Sequence, residues 1–196
     1  GEGEVPCIPD LITLLSHEAG AVAVGGDPMQ DPVVRLTSSV VRLAELQDQC
    51  RRAGTALASP LLAQSCCWFF CRWSQTYLLP SPSERCPPST HLQTLYGTPQ
   101  GAQAVITFLV SQVHRHIELW ASEEDVLQAT CALVDALPQR KQVGRLLVAT
   151  EGWLQLSQLM YRQLERPRTV RALPPLVLQR VTHALCASVA GLEDPS

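Results

Sequence analysis

Cys67 and Cys71 stand four residues apart, a spacing that stacks two side chains on one helix face and would offer two thiolates to a metal ion. No second Cys or His pair stands at a zinc-ribbon or zinc-finger spacing, so this half-site is read without a metal. His114 and His116 are two residues apart and point to different faces of a helix. They cannot share one ion and are read as solvated or groove-lining. A thiol nucleophile at Cys66 or Cys71 would need a neighbouring cation or a helix N-terminus to lower its pKa, and the sequence places neither there. The chain also lacks a phosphate loop of the G-x-x-x-x-G-K type, a G-x-S-x-G elbow and an H-E-x-x-H pair. No catalytic residue, cofactor or metal ligand is assigned, and the chain is read as a non-enzyme.

The elements that carry these side chains are helices. Apolar residues recur at i, i+3, i+4 and i+7 through most of the chain, and no sustained alternation flanked by Asn-Gly or Asp-Gly turns marks a strand. Residues 1–30 contain a short helical piece, IPDLITLLSHE, and a Gly-rich loop. Residues 31–79 form the first helix pair. Asp31 caps its first helix, Pro32 sits at the first helical position, Val33, Leu36, Val40 and Leu43 make the stripe with Val34, Val41 and Ala44, and RRAG closes it. Ser59 and Pro60 repeat the device for a second helix, whose Leu61, Leu62, Trp68, Phe69, Trp73 and Tyr77 cover so much of its surface that one partner helix cannot bury it. Residues 80–98, rich in Pro and Ser, are read as a loop, either a surface connection or a binding loop. Residues 99–138 form a second pair, with Ser122 expected to cap the helix that Pro138 ends, and residues 139–196 hold a short helix and a third pair joined by ERPRTVRA.

Composition bounds the function. At 196 residues and 46% hydrophobic content the chain can bury a sizeable core. A formal net charge of −3 gives no basic field for nucleic acid. No apolar run approaches the roughly 18 residues that cross a bilayer, and the first ten residues lack the basic and apolar regions of a leader. The expectation is therefore a chain without nucleic-acid or membrane partners. Its eight cysteines do not form a disulfide framework. Cys66, Cys67, Cys71, Cys131 and Cys186 lie in apolar helical segments, where free Cys acts as a small hydrophobe, and a reduced, intracellular protein is expected. Both ends read as loop, as in a piece of a longer chain.

Successive pairs of this size that cannot bury their own faces describe an all-α fold, a right-handed α-solenoid of about three HEAT-type antiparallel pairs, with a closed bundle of similar helices as the alternative. In such an array the second helix of each pair lines the concave wall. Val126, Thr130, Leu133, Val134 and Leu137 are expected to face the core, which leaves Glu124, Gln128 and Asp135 along an acidic outer stripe suited to a basic protein partner. Arg72 and Gln75 on the preceding second helix are expected to add polar contacts. These five are the candidate protein-binding residues.

The runs DPVVRLTSSVVRLAEL, WFFCRWSQTYLL, GTPQGAQAVITFLVSQVHRHIELWASEEDVLQATCALVDAL and VATEGWLQLSQLMYRQ fall in this order between residues 28 and 190. Together they resemble the central HEAT repeats of the exportin-4 family within the karyopherin, or importin-β, superfamily. The most specific matches are Asp31-Pro32 with Arg35, Arg72-Trp73, Thr76-Tyr77-Leu78-Leu79, Trp120 followed by Ser122-Glu123, and Trp153. Departures are the Pro- and Ser-rich stretch 80–98, Leu154 where the family more often has Trp, and Lys141 as the only lysine. The resemblance implies a receptor that binds protein cargo together with Ran-GTP, meets nucleoporins in the pore and shuttles between nucleus and cytoplasm. It also implies that the principal Ran surface lies in N-terminal repeats outside this chain. A helical-repeat scaffold for protein–protein interaction without Ran linkage is the alternative.

Overall fold

The computed structural model describes residues 31–79, 92, 96–165 and 173–190. The short helix and Gly-rich loop expected in residues 1–30, most of the stretch 80–98 and the link ERPRTVRA lie outside them. The described residues are all-α: seven α-helices and one 3-10 turn, with no strand among them.

Helix α1, Pro32–Arg52, starts where the Asp31 carboxylate accepts from the Val33 and Val34 amides at 2.8 and 3.4 Å. It stops in a Schellman turn: the Gly54 amide donates to Arg51 O and the Thr55 amide to Cys50 O, with Gly54 at φ +64. Only glycine adopts that left-handed conformation without a Cβ penalty. Helix α2, Pro60–Tyr77, is capped by the Ser59 hydroxyl, which accepts from the Leu62 amide at 3.4 Å. At its other end the Arg140 guanidinium donates to the carbonyls of Gln75 and Leu78, placing a cation on the negative end of the helix dipole. Helix α3, Pro99–Leu119, repeats the cap with Thr98, whose hydroxyl accepts from the Gly101 amide at 3.2 Å.

Helix α4, Glu124–Ala136, departs from expectation at its start. The N-cap is Glu123, and no side chain bonds the free amides. The Ser122 hydroxyl, expected as the cap, instead accepts from Arg51 at 2.9 Å and donates to Glu123 at 3.3 Å. The ion pair between Arg51 and Glu123 draws it away. Glu124 and Asp125 in the first turn supply the dipole compensation the missing cap leaves undone. A 3-10 turn, Leu137–Gln139, follows, then α5, Lys141–Val148, α6, Glu151–Glu165, and α7, Pro175–Ala190.

Two layers result. The first helices of the pairs, α1, α3 and α6, pack side by side in chain order, as do the second helices, α2, α4 and α7, and each first helix also packs on its own second helix. Helix α4 sits in the middle of its layer, so both its flanks are covered and Val126, Leu133 and Val134 are fully buried. The apolar surface of α2 is shared between α1 and α4, which answers the excess of apolar residues in its sequence. The core runs through all seven helices. Leu92 and Tyr96, in the stretch read as loop, have helical backbone; Leu92 is buried, and the Tyr96 ring stands edge-on to Trp73 at 5.2 Å. The Pro and Ser content of residues 80–98 hides these two anchors.

Helices α3 and α6 approach closely at Gly152, where a Cβ would meet Val110 Cγ1 at 2.9 Å. Val110 is β-branched and buried, so it has no alternative rotamer to retreat into. Gly152→Ala is therefore expected to destabilise the fold by about 1–3 kcal/mol, as overpacking does. Gly144→Ala, whose Cβ would meet only ordinary contacts at 3.7 Å, serves as the tolerated control. Urea denaturation of the two variants checks the difference.

Candidate functional site

The expected binding residues lie on α2 and α4. Glu124 and Gln128 are exposed, while Asp135 is half-buried and its Oδ2 accepts from Arg180 of α7 at 2.8 Å. The outer stripe of α4 is therefore not uniformly acidic: the Asp135 charge is neutralised across the layer. Glu124 and Asp135 are also about 16 Å apart along the axis, at 1.5 Å per residue, so they do not converge on one point. Arg72 and Gln75 do converge with residues the sequence did not single out. They line a polar hollow of about 420 Å³ together with Ser74, Leu78, Gln139, Arg140 and the α4–α5 apolar residues Ala136, Leu137 and Val143. Next to it, Asp135, Gln139, Arg180 and His183 help line a second hollow of about 440 Å³. Gln139 belongs to both, so the two hollows adjoin at the turn that follows α4.

Between the layers lies a buried polar hub. Asp48 on α1 is 3% exposed; its carboxylate accepts from Arg115 Nε at 2.8 Å and from Trp120 Nε1 at 3.1 Å, both on the next pair. The Gln112 amide is satisfied only with its nitrogen toward Asp48 Oδ2 at 3.3 Å and its oxygen toward the Arg115 guanidinium. Donors from Arg115, Trp120 and Gln112 converge on this carboxylate and offset the cost of its desolvation. Arg51 adds a clip at the surface: it lies over the Trp120 ring at 4.9 Å and donates to Leu119 O, Ser122 and Glu123. First and second pairs are thus joined by charge-assisted bonds.

The two histidines do face different sides, and each is bonded to a neighbouring helix. His114 Nε2 is 2.8 Å from Gly152 O, so it donates to α6. His116 is buried, with Nδ1 2.8 Å from Thr130 Oγ1. The Thr130 hydroxyl gives its proton to Val126 O, so it accepts from His116, which fixes the neutral ring with its proton on Nδ1. Burial holds His116 down to about 4, partly opposed by Asp48. The unfolded chain binds this proton near the usual 6.5, ahead of the folded one. Stability is then full above pH 6.5 and falls as pH drops toward 4, by up to about 3 kcal/mol at ~1.36 kcal/mol per pH unit. His116→Gln should flatten that slope in urea titrations between pH 7 and pH 4.5.

Four cysteines of the core are held as thiols. Burial pushes the thiols of Cys66, Cys71 and Cys131 up to about 11, and that of Cys67 higher still. Cys186, expected within an apolar segment, is exposed on α7. Among the described residues no group of three His, Cys, Asp or Glu is placed to hold a metal ion, and no helix is long and apolar enough to cross a membrane.

Comparison with known proteins adds to this geometry. The Exportin-4 family profile matches residues 2–189. A protein of Dictyostelium discoideum called Exportin-4 is 30% identical over 98 residues, which are half of this chain and 9% of that relative's length.

Proposed function

The chain belongs to the exportin-4 family, and from that premise we propose that it is a segment of a nuclear export receptor that binds protein cargo together with Ran-GTP. In this reading the receptor contacts nucleoporins on its way through the pore and shuttles between nucleus and cytoplasm. The segment contributes three stacked pairs, within 31–79, 99–138 and 139–196, to a right-handed HEAT-type solenoid. The observation that carries the reading is the family match over nearly the whole chain, and the ordered packing of first helices on first helices and second on second supports it. An array of this kind has few contacts between distant repeats, so its curvature responds to ligands. Two ligands that order the same curvature each lower the other's cost of binding.

The protein-binding surface we assign to the segment is the outer face of α2 and α4, with Arg72, Gln75, Glu124, Gln128 and Asp135. Its polar character fits a partner recognised by charge and hydrogen bonds more than by apolar insertion. No catalytic step or cofactor is assigned.

The test is a pull-down with the full-length receptor. Ran loaded with a non-hydrolysable GTP analogue should increase cargo retention from nuclear extract, by about 5- to 150-fold in affinity. Retention unchanged by Ran would remove the export reading and leave a scaffold without Ran linkage.

A further inference from the structure

We propose that an apolar hollow between α1, α2 and α3 is a binding site for a small, uncharged, planar heteroaromatic molecule that carries one hydrogen-bond acceptor. The hollow measures about 230 Å³, and Thr37 and Val41 of α1, Phe70 and Trp73 of α2, and Val105 and Phe108 of α3 stand on its wall. No charged side chain is among its lining residues. What sets it apart is the indole nitrogen of Trp73. Trp73 is 2% exposed, and its N–H has no hydrogen-bond partner among the described residues. Trp120 and Trp153, buried as deeply, each have one: Trp120 donates to Asp48 at 3.1 Å and Trp153 to Ser188 at 3.0 Å. A buried donor left unmet costs stability, so native folds keep few of them. Ligand sites combine an apolar lining with a small number of polar groups that orient the guest, and here that group is the Trp73 N–H.

The lining fixes the kind of guest. Phe70 stands edge-on to Phe108 at 5.4 Å, and Trp73 edge-on to Tyr96 at 5.2 Å; all four rings line the hollow. Each ring braces its partner, so the wall is formed before a guest arrives, and perpendicular rings offer both faces and edges to a flat molecule. Val41 and Val105 add stiff, β-branched sides. The Thr37 hydroxyl gives its proton to Val33 O at 2.7 Å, so it does not compete with Trp73 for an acceptor on the guest. Tyr96, Val105 and Phe108 are half-buried and Ala104 is exposed, which leaves the hollow open to solvent on that side. An apolar cavity of about 150 Å³ holds one benzene ring. The larger volume here leaves room for a second, fused ring. With no ion on the wall to pair it, a charged guest would give up its hydration without compensation. A neutral guest seated here touches α1, α2 and α3, and so bridges the first and second helix pairs.

Quinoline is the probe, titrated into the 196-residue chain at neutral pH, where its ring nitrogen is a free acceptor. Indole, of similar size but with a donor in place of the acceptor, is the control. In proton–nitrogen correlation spectra quinoline should shift the Trp73 indole N–H saturably, with backbone amide shifts centred on residues 37–41, 70–73 and 105–108. Indole should bind at least about fivefold more weakly, the worth of one net hydrogen bond. Trp73→Phe keeps an aromatic wall and removes the donor, and should bring quinoline down to the affinity of indole. Ala104→Phe, at an exposed position where a larger side chain does not disturb the core, should weaken both ligands by narrowing the mouth. Circular dichroism verifies that both variants fold, and the comparison of the two ligands on the unaltered chain decides the matter without them. No saturable binding of quinoline, equal affinity for quinoline and indole, shifts centred elsewhere, or a preference that survives Trp73→Phe would overturn the proposal. It does not rest on the transport reading, which Ran-dependent retention of cargo tests separately.

Discussion

Asp48→Ala is expected to destabilise the chain by about 3–5 kcal/mol, the cost of breaking a buried ion pair by removing one partner. The carboxylate is 3% exposed and is the common acceptor for Arg115 and Trp120. Without it, the Trp120 N–H is buried with no acceptor, and the partly buried Arg115 guanidinium loses its counter-charge. Water does not easily repair this, because Trp120 is fully buried and Arg51 covers its ring. Urea unfolding measures the loss. A double-mutant cycle with Arg115→Ala then identifies its source: the double variant should cost less than the sum of the singles, since the second change removes the stranded charge. Additive losses would show that Asp48 and Arg115 act independently.

Phe70→Ala is expected to cost a similar 3–5 kcal/mol for a different reason. Phe70 stands edge-on to Phe69 at 5.7 Å and to Phe108 of α3 at 5.4 Å, so it bridges α2 and α3 through a run of perpendicular rings. It also lines an apolar hollow of about 230 Å³ with Val41, Trp73, Tyr96 and Phe108. Truncation there enlarges a space that the surrounding helices have already failed to close, so the structure cannot relax into it. Phe70→Leu, which keeps most of the volume and loses the ring contacts, should cost less than half as much. Equal losses for the two would assign the effect to ring geometry instead of volume. The indole nitrogen of Trp73, on the wall of the same hollow, has no hydrogen-bond partner among the described residues.

The helices were legible because their ends are written locally. Asp31-Pro32 and Ser59-Pro60 state a cap and a first turn within two residues, and the structure uses both. The inward face of α4 was legible for the same reason, from the spacing of Val126, Thr130, Leu133, Val134 and Leu137. Partners distant in sequence were not. Asp135 looks like a surface acid until Arg180, 45 residues later, is laid against it. His116 looks solvated until Thr130 arrives from the next helix. Asp48 is the clearest case: it follows Val41 by seven residues and Ala44 by four, so it lies on the stripe that α1 buries, yet a buried charge and an exposed one are written with the same letter. The signal available was its position on that stripe. The hollow beside Arg72 had no signal at all, because Arg140 reaches it from 68 residues away.

The joints between successive pairs are built from unlike materials. Asp48, Arg115 and Arg51 tie the first pair to the second with ionic groups, of which the Asp48 carboxylate is buried. Besides apolar packing, the second and third pairs meet through neutral bonds, Gln103 to Thr150 and His114 to Gly152, and through the partly exposed pair of Asp135 and Arg180. Surface pairs of that kind add little cohesion. The second joint therefore rests on neutral bonds and on the apolar packing of α7 against α4, the first on ionic groups as well.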